Sequence, residues 1–130
     1  MSDPVFDEIE VKEAQAPDPI PEGLYKAVIE NITAGDGNFG AYYKITFLIT
    51  EGDFKDTKRN LVASKKITKS ANGKNSKLFN IIRTLEKKEP APGEKYNVGR
   101  LLSKPCQILV KNDKVINEVQ YQVVAEVMSA

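Results

Sequence analysis

The sequence predicts an all-β domain carrying a single helix, in the order β-β-β-α-β-β. Three observations predict it. From Ala41 to Thr50 apolar and polar residues alternate, with Tyr43, Ile45, Phe47 and Ile49 set between Tyr42, Lys44, Thr46 and Leu48, the two-residue period of a half-buried strand. The period becomes helical in one place, at Leu78, Ile81, Ile82 and Leu85. Glycine, asparagine and proline clusters punctuate the remainder at intervals that suit strands.

Residues 1–22 read as a disordered arm. Pro17, Pro19 and Pro21 alternate along a stretch that favours an extended linker. Ahead of them, acids are mixed with Val5, Phe6, Ile9 and Val11, a composition that cannot fold alone but can dock. Gly23–Thr33 is expected as the first strand, and AGDGNFG as a loop whose glycines supply positive φ. Ala41–Thr50 is the second strand and Lys58–Lys66 the third, followed by a polar loop with an Asn72-Gly73 turn. Asn75 or Ser76 can cap the helix, and Pro90 stops it. Past a Pro/Gly linker, Pro105–Lys111 and Val115–Val127 make a hairpin turning at Asn112-Asp113. Its second strand is expected to set Val115, Val119, Tyr121, Val123, Ala125 and Val127 on one face.

Three strands, a helix and two strands is the element order of the OB-fold, a five-stranded Greek-key barrel whose helix lies between strands three and four. An SH3-like barrel lacks that helix, and a ferredoxin-like fold needs two. The expectation is an OB barrel over residues 23–128, with the acidic arm over residues 1–22.

Charge is distributed unevenly. Lys55, Lys58, Arg59, Lys65, Lys66, Lys69, Lys74 and Lys77 stand against Asp56 alone, while the arm carries Asp3, Asp7, Glu8, Glu10, Glu13, Asp18 and Glu22 against Lys12. A net charge of +1 therefore hides a basic body and an acidic arm. Concentrated lysines are the footprint of a polyanion partner, or else a solvated surface. Histidine is absent and Cys106 is the one cysteine. The usual zinc sites, Ser-His or Cys-His catalysis and an intrachain disulfide are thereby excluded. No catalytic residue, metal site or cofactor is expected, and the chain is read as a non-enzyme. Neither a membrane span nor a secretory signal is visible, which fits a cytoplasmic protein.

GDGNFG, Gly35–Gly40, fits the dinucleotide-binding spacing, but that site needs a helix to follow, and the clearest strand in the chain follows instead. The second strand is more informative. If Ile45, Phe47 and Ile49 face the core, Tyr42 and Lys44 face out, where OB domains receive oligonucleotides by stacking and phosphate tracking. A strand tyrosine exposed for packing reasons is the alternative. Phe39 in the loop is a second stacking candidate. Lys58, Arg59, Lys65, Lys66, Lys69 and Lys74 read as phosphate contacts or as a solubilising surface. Cys106 and the helical stripe read as core.

PIPEGLYKAVIENI, AYYKITFLITEGDFKDTKRN, LFNIIRTLEKKE and NVGRLLSKPCQILVKND together resemble small OB-type proteins encoded by phages and prophages beside replication and recombination genes. The resemblance spans residues 20–128 and rests on structural motifs. It implies single-stranded DNA binding in a bacterial host or phage-infected cell, with Tyr42, Lys44 and the basic stretch 58–69 lining the groove. Single-strand binders of this kind often recruit partners through an acidic C-terminal tail. Here the chain ends in VVAEVMSA with its acids at the front, so recruitment of a replication or recombination protein either does not carry over or falls to the arm. The leading expectation is a sequence-tolerant binder of single-stranded nucleic acid, accessory to replication or recombination. The alternative is an OB-type protein-interaction module, or a phage structural or adaptor subunit, that binds no nucleic acid.

Overall fold

The computed structural model describes residues 19–38, 40–68, 75–91 and 93–130. Five antiparallel strands, β1 (Gly23–Gly37), β2 (Gly40–Ile49), β3 (Lys58–Ser64), β4 (Pro105–Ile116) and β5 (Val119–Ser129), form one sheet in the order β3-β2-β1-β4-β5. Among the described residues one α-helix, α1 (Lys77–Glu86), lies between β3 and β4, and a 3₁₀ turn (Val98–Leu101) leads into β4. The all-β class, with a single helix among the described residues, is as the sequence predicts.

Alternation sets which face is buried. Ala27 and Ile29, then Ile45, Phe47 and Ile49, then Leu61 and Ala63, and finally Cys106, Ile108 and Val110 point to one side, where Leu78, Ile81 and Ile82 of α1 join them in one core. Burial of this apolar surface is the main driving force for the fold. The Cys106 thiol, inside this core, is pushed up to about 11 by burial, which makes it inert at neutral pH. Helix α1 begins at Ser76, whose hydroxyl accepts the Phe79 amide at 3.2 Å. It ends where Lys87 turns left-handed (φ 58°), short of Pro90.

Three elements differ from expectation. The glycine motif is mostly strand, because β1 continues to Gly37 and pairs there with Gly40. Positive φ is needed at Gly40 (103°) but not at Gly35 or Gly37. The β4–β5 turn falls at Asn117-Glu118, both left-handed at φ 51° and 65°, as a two-residue hairpin turn requires; Asn112 and Asp113 lie within β4 at an irregularity. The single apolar face expected on β5 does not form. A register shift between Leu109/Val110 and their partners leaves Ala125 unpaired and turns Val124 inward, while Val115, Val119 and Val123 stay exposed. Ile20, in the segment read as arm, is buried in the core, and the arm's residues 1–18 lie outside the described residues.

The helix end is tied down by charge. The Glu86 carboxylate bonds Lys104 Nζ at 2.7 Å and pairs with Arg100, whose guanidinium lies 5.1 Å from the Tyr96 ring centre. The Lys104 hydrogen bond, with the Arg100 and Lys104 charges added, outweighs desolvation and holds Glu86 below its ordinary 4.5. A depressed folded-state pKa gives stability that is full above the ordinary value and is lost as pH falls through the folded value. Urea unfolding should therefore find Glu86→Gln less stable than wild type at pH 7, with the gap closing in acid below the carboxylate range. A gap unchanged by pH would mean the carboxylate charge contributes nothing.

Candidate nucleic-acid interface

The outer face of β1, β2 and β3 is set by the same alternation that builds the core. With Ile45, Phe47 and Ile49 fully buried, Tyr42, Lys44, Thr46 and Leu48 face the opposite way. Across β3 they pair with Ser64, Val62, Asn60 and Lys58 respectively. Thr46 Oγ1 and Asn60 Oδ1 are bonded at 2.9 Å, and Val62 is 53% exposed. A polar, partly apolar surface results.

Tyr42 occupies a prepared place. It pairs with Gly35, and a Cβ built on Gly35 would lie 2.6 Å from Cζ and Oη of the Tyr42 ring. At Gly37 the nearest ring atom would be 3.5 Å away. The ring thus lies against the β1 backbone along Gly35–Gly37, a cross-strand aromatic–glycine pairing that covers two positions of β1 that have no side chain. Half-buried there, Tyr42 leaves the rest of its ring open. This is the requirement that the glycine motif serves.

The cations divide into three groups. Lys44 is exposed on the outer face, and Lys65 and Lys66 are exposed where β3 ends, with the Lys65 amide donating to Ala41 O at 3.1 Å. The Lys65 ammonium sits 5.0 Å from the centre of the Tyr43 ring, on the core side of β2, a contact worth about 0.5–1 kcal/mol that an exposed lysine gives up readily. None of these three has an ion pair among the described residues. Lys58 lies on the outer face but 3.2 Å from the Glu30 carboxylate, and Lys26 is 3.7 Å from Glu51. Lys44 and Lys66 therefore leave the end of this face holding Tyr42 positive, with Lys65 at the same end but turned to the Tyr43 side, and the other end is balanced.

Arg59 departs from the expectation of a phosphate contact. It is only 4% exposed and lies on the inner face, in phase with Leu61 and Ala63. Its Nε and Nη2 donate to Gln122 Oε1 at 3.2 and 3.0 Å, and its Nη1 to the Lys58 carbonyl at 2.7 Å. It joins β3 to β5, the two strands at the ends of the sheet order. Loss of hydration lowers its pKa, partly offset by Tyr25, and a guanidinium remains charged regardless. Phe39, Lys69 and Lys74 lie outside the described residues.

Among the described residues no cluster of cysteine, aspartate and glutamate could hold a metal, and no helix is long and apolar enough to cross a membrane. Comparison with protein-family models and with curated proteins finds no match.

Proposed function

We propose that this chain is an OB-type binder of single-stranded nucleic acid, DNA in the first instance, that acts as an accessory to replication or recombination without catalysis. The sheet order supports the OB reading, since closing β3 onto β5 completes a Greek-key barrel and Arg59–Gln122 bridges that seam. The observation that carries the function is Tyr42, half-open on the outer face with Lys44 beside it and Lys65 and Lys66 at the same end. An aromatic ring takes the face of any base, and ammonium groups follow phosphates, so recognition is tolerant of sequence. Lys58 contributes less, because Glu30 already neutralises it. Arg59 acts behind the surface by holding β3.

Fluorescence titration of labelled oligo-dT, single-stranded and as a dT–dA duplex, at two salt concentrations tests this reading. Single strands should bind more tightly than duplex, with affinity falling as salt rises. Tyr42→Ala should weaken the single-strand complex by about tenfold or more, the loss of one stacked base. No binding at low salt would favour the other reading, a protein-interaction module.

A further inference from the structure

The outer face of the sheet is apolar where β1, β4 and β5 adjoin. Ile108 and Val110 are fully buried, so Leu109 and Lys111 point outward. Leu109 pairs with Leu24 of β1 on one side and with Glu126 of β5 on the other, and Lys111 pairs with Val123. The bulge at Ala125 keeps Val123 and Glu126 on this same face. Leu24 is 57% exposed and Val123 37%. By alternation from Val123, Val119 and its partner Ile116 continue the face along the β4–β5 ribbon, past Val110 where pairing with β1 stops. Exposed apolar residues grouped on one sheet face mark a place where something docks.

We propose that the occupant is a second copy of this chain, related by a two-fold axis lying along the Leu109–Val123 diagonal. Leu109, Lys111, Val123 and Glu126 are the corners of one cell of the β4–β5 ladder, with the apolar pair on one diagonal and the opposite charges on the other. A two-fold axis along the apolar diagonal sets Leu109 and Val123 each against its own copy. The same axis sets Lys111 against Glu126 of the partner subunit, and Glu126 against the partner's Lys111. The face is thus its own complement in charge as well as in apolarity. Neither Lys111 nor Glu126 has an ion pair among the described residues, so both are open to a partner. A polyanion suits this face poorly, because Glu126 balances Lys111. From Gln107 to Lys111 and across three strands, the patch measures roughly 15 by 17 Å at about 4.8 Å per strand and about 3.4 Å per residue. That is less than the about 800 Å² each partner gives a stable interface, so the dimer is reversible and depends on concentration. Leu24 lies at one end of β1 and Gly35, the partner of Tyr42, near the other. Dimerisation leaves Tyr42 and Lys44 open, and this inference stands apart from nucleic-acid binding.

Sedimentation velocity of the full chain over a concentration series tests it, with the variants Lys111→Glu and Glu126→Lys run singly and mixed in equal amounts. Wild type should move from one chain mass to two as concentration rises. Each single variant sets like charges against each other at both symmetric contacts, and should weaken dimerisation by about tenfold or more. Mixing the two variants restores opposite charges at both contacts, so the mixture should dimerise at least as well as wild type. Wild type that stays at one chain mass throughout would overturn the proposal, as would single variants that dimerise like wild type. A mixture no better than the separate variants would overturn the diagonal two-fold axis, and with it the proposed interface.

Discussion

Changing Lys44, Lys65 and Lys66 together to glutamate is expected to abolish detectable binding of oligo-dT while leaving the protein folded. Three phosphates neutralised on a single strand give a log–log salt slope of about −2, which lowers affinity about twenty-fold between about 50 and about 200 mM salt. Reversing the charges removes that attraction and adds repulsion, so the loss at low salt should be at least as large. All three side chains are exposed, and surface changes of this kind alter stability by about 0.5 kcal/mol or less each. A folded triple variant that binds with wild-type affinity and salt slope would remove these lysines from the interface.

Arg59→Ala is expected to act in the opposite way. It deletes the two guanidinium donors to Gln122 Oε1, leaving that oxygen the Ile20 amide, and the bond to the Lys58 carbonyl, and it leaves a cavity under the junction of β3 and β5. The cost should be about 2–4 kcal/mol, or roughly 10 °C in Tm. Arg59→Lys should recover only part of this, since a single ammonium cannot reproduce the two-pronged donation to one amide oxygen. At temperatures where both variants remain folded, their oligonucleotide affinity should match wild type. Wild-type stability in Arg59→Ala would show that the bridge holds nothing, and lost affinity in a folded variant would return Arg59 to the binding face.

Residues whose environment follows from strand phase were legible in the sequence. Ile45, Phe47 and Ile49 are buried and Tyr42 and Lys44 face out, as period two along β2 requires. The same reasoning was available for Arg59, which shares phase with Leu61 and Ala63 in Lys58–Ser64. Charge density obscured it, because a guanidinium between Lys58 and Lys65 invites an exposed reading, and its partner Gln122 is 63 residues away. The glycines misled for a related reason. Gly35 permits any backbone conformation, but what it supplies is the absence of a Cβ beneath the Tyr42 ring, visible only once β1 and β2 are in register. The β5 bulge at Ala125 inverted an apolar pattern that looked continuous, and an unpaired residue leaves no mark in composition. Asn112-Asp113 and Asn117-Glu118 are both plausible turns by residue type. Pairing of Ile116 with Val119 selects the second.

Amide chemical-shift mapping of the full chain with single-stranded oligo-dT is the most direct measurement of where, and whether, nucleic acid binds. The proposed function predicts saturable shifts across Ala41–Thr46 and Asn60–Lys66, centred on Tyr42 and Lys44, with β4 and β5 little changed. Saturating oligonucleotide that shifts no resonance on β2 or β3, or shifts only the β4–β5 ribbon, would contradict it.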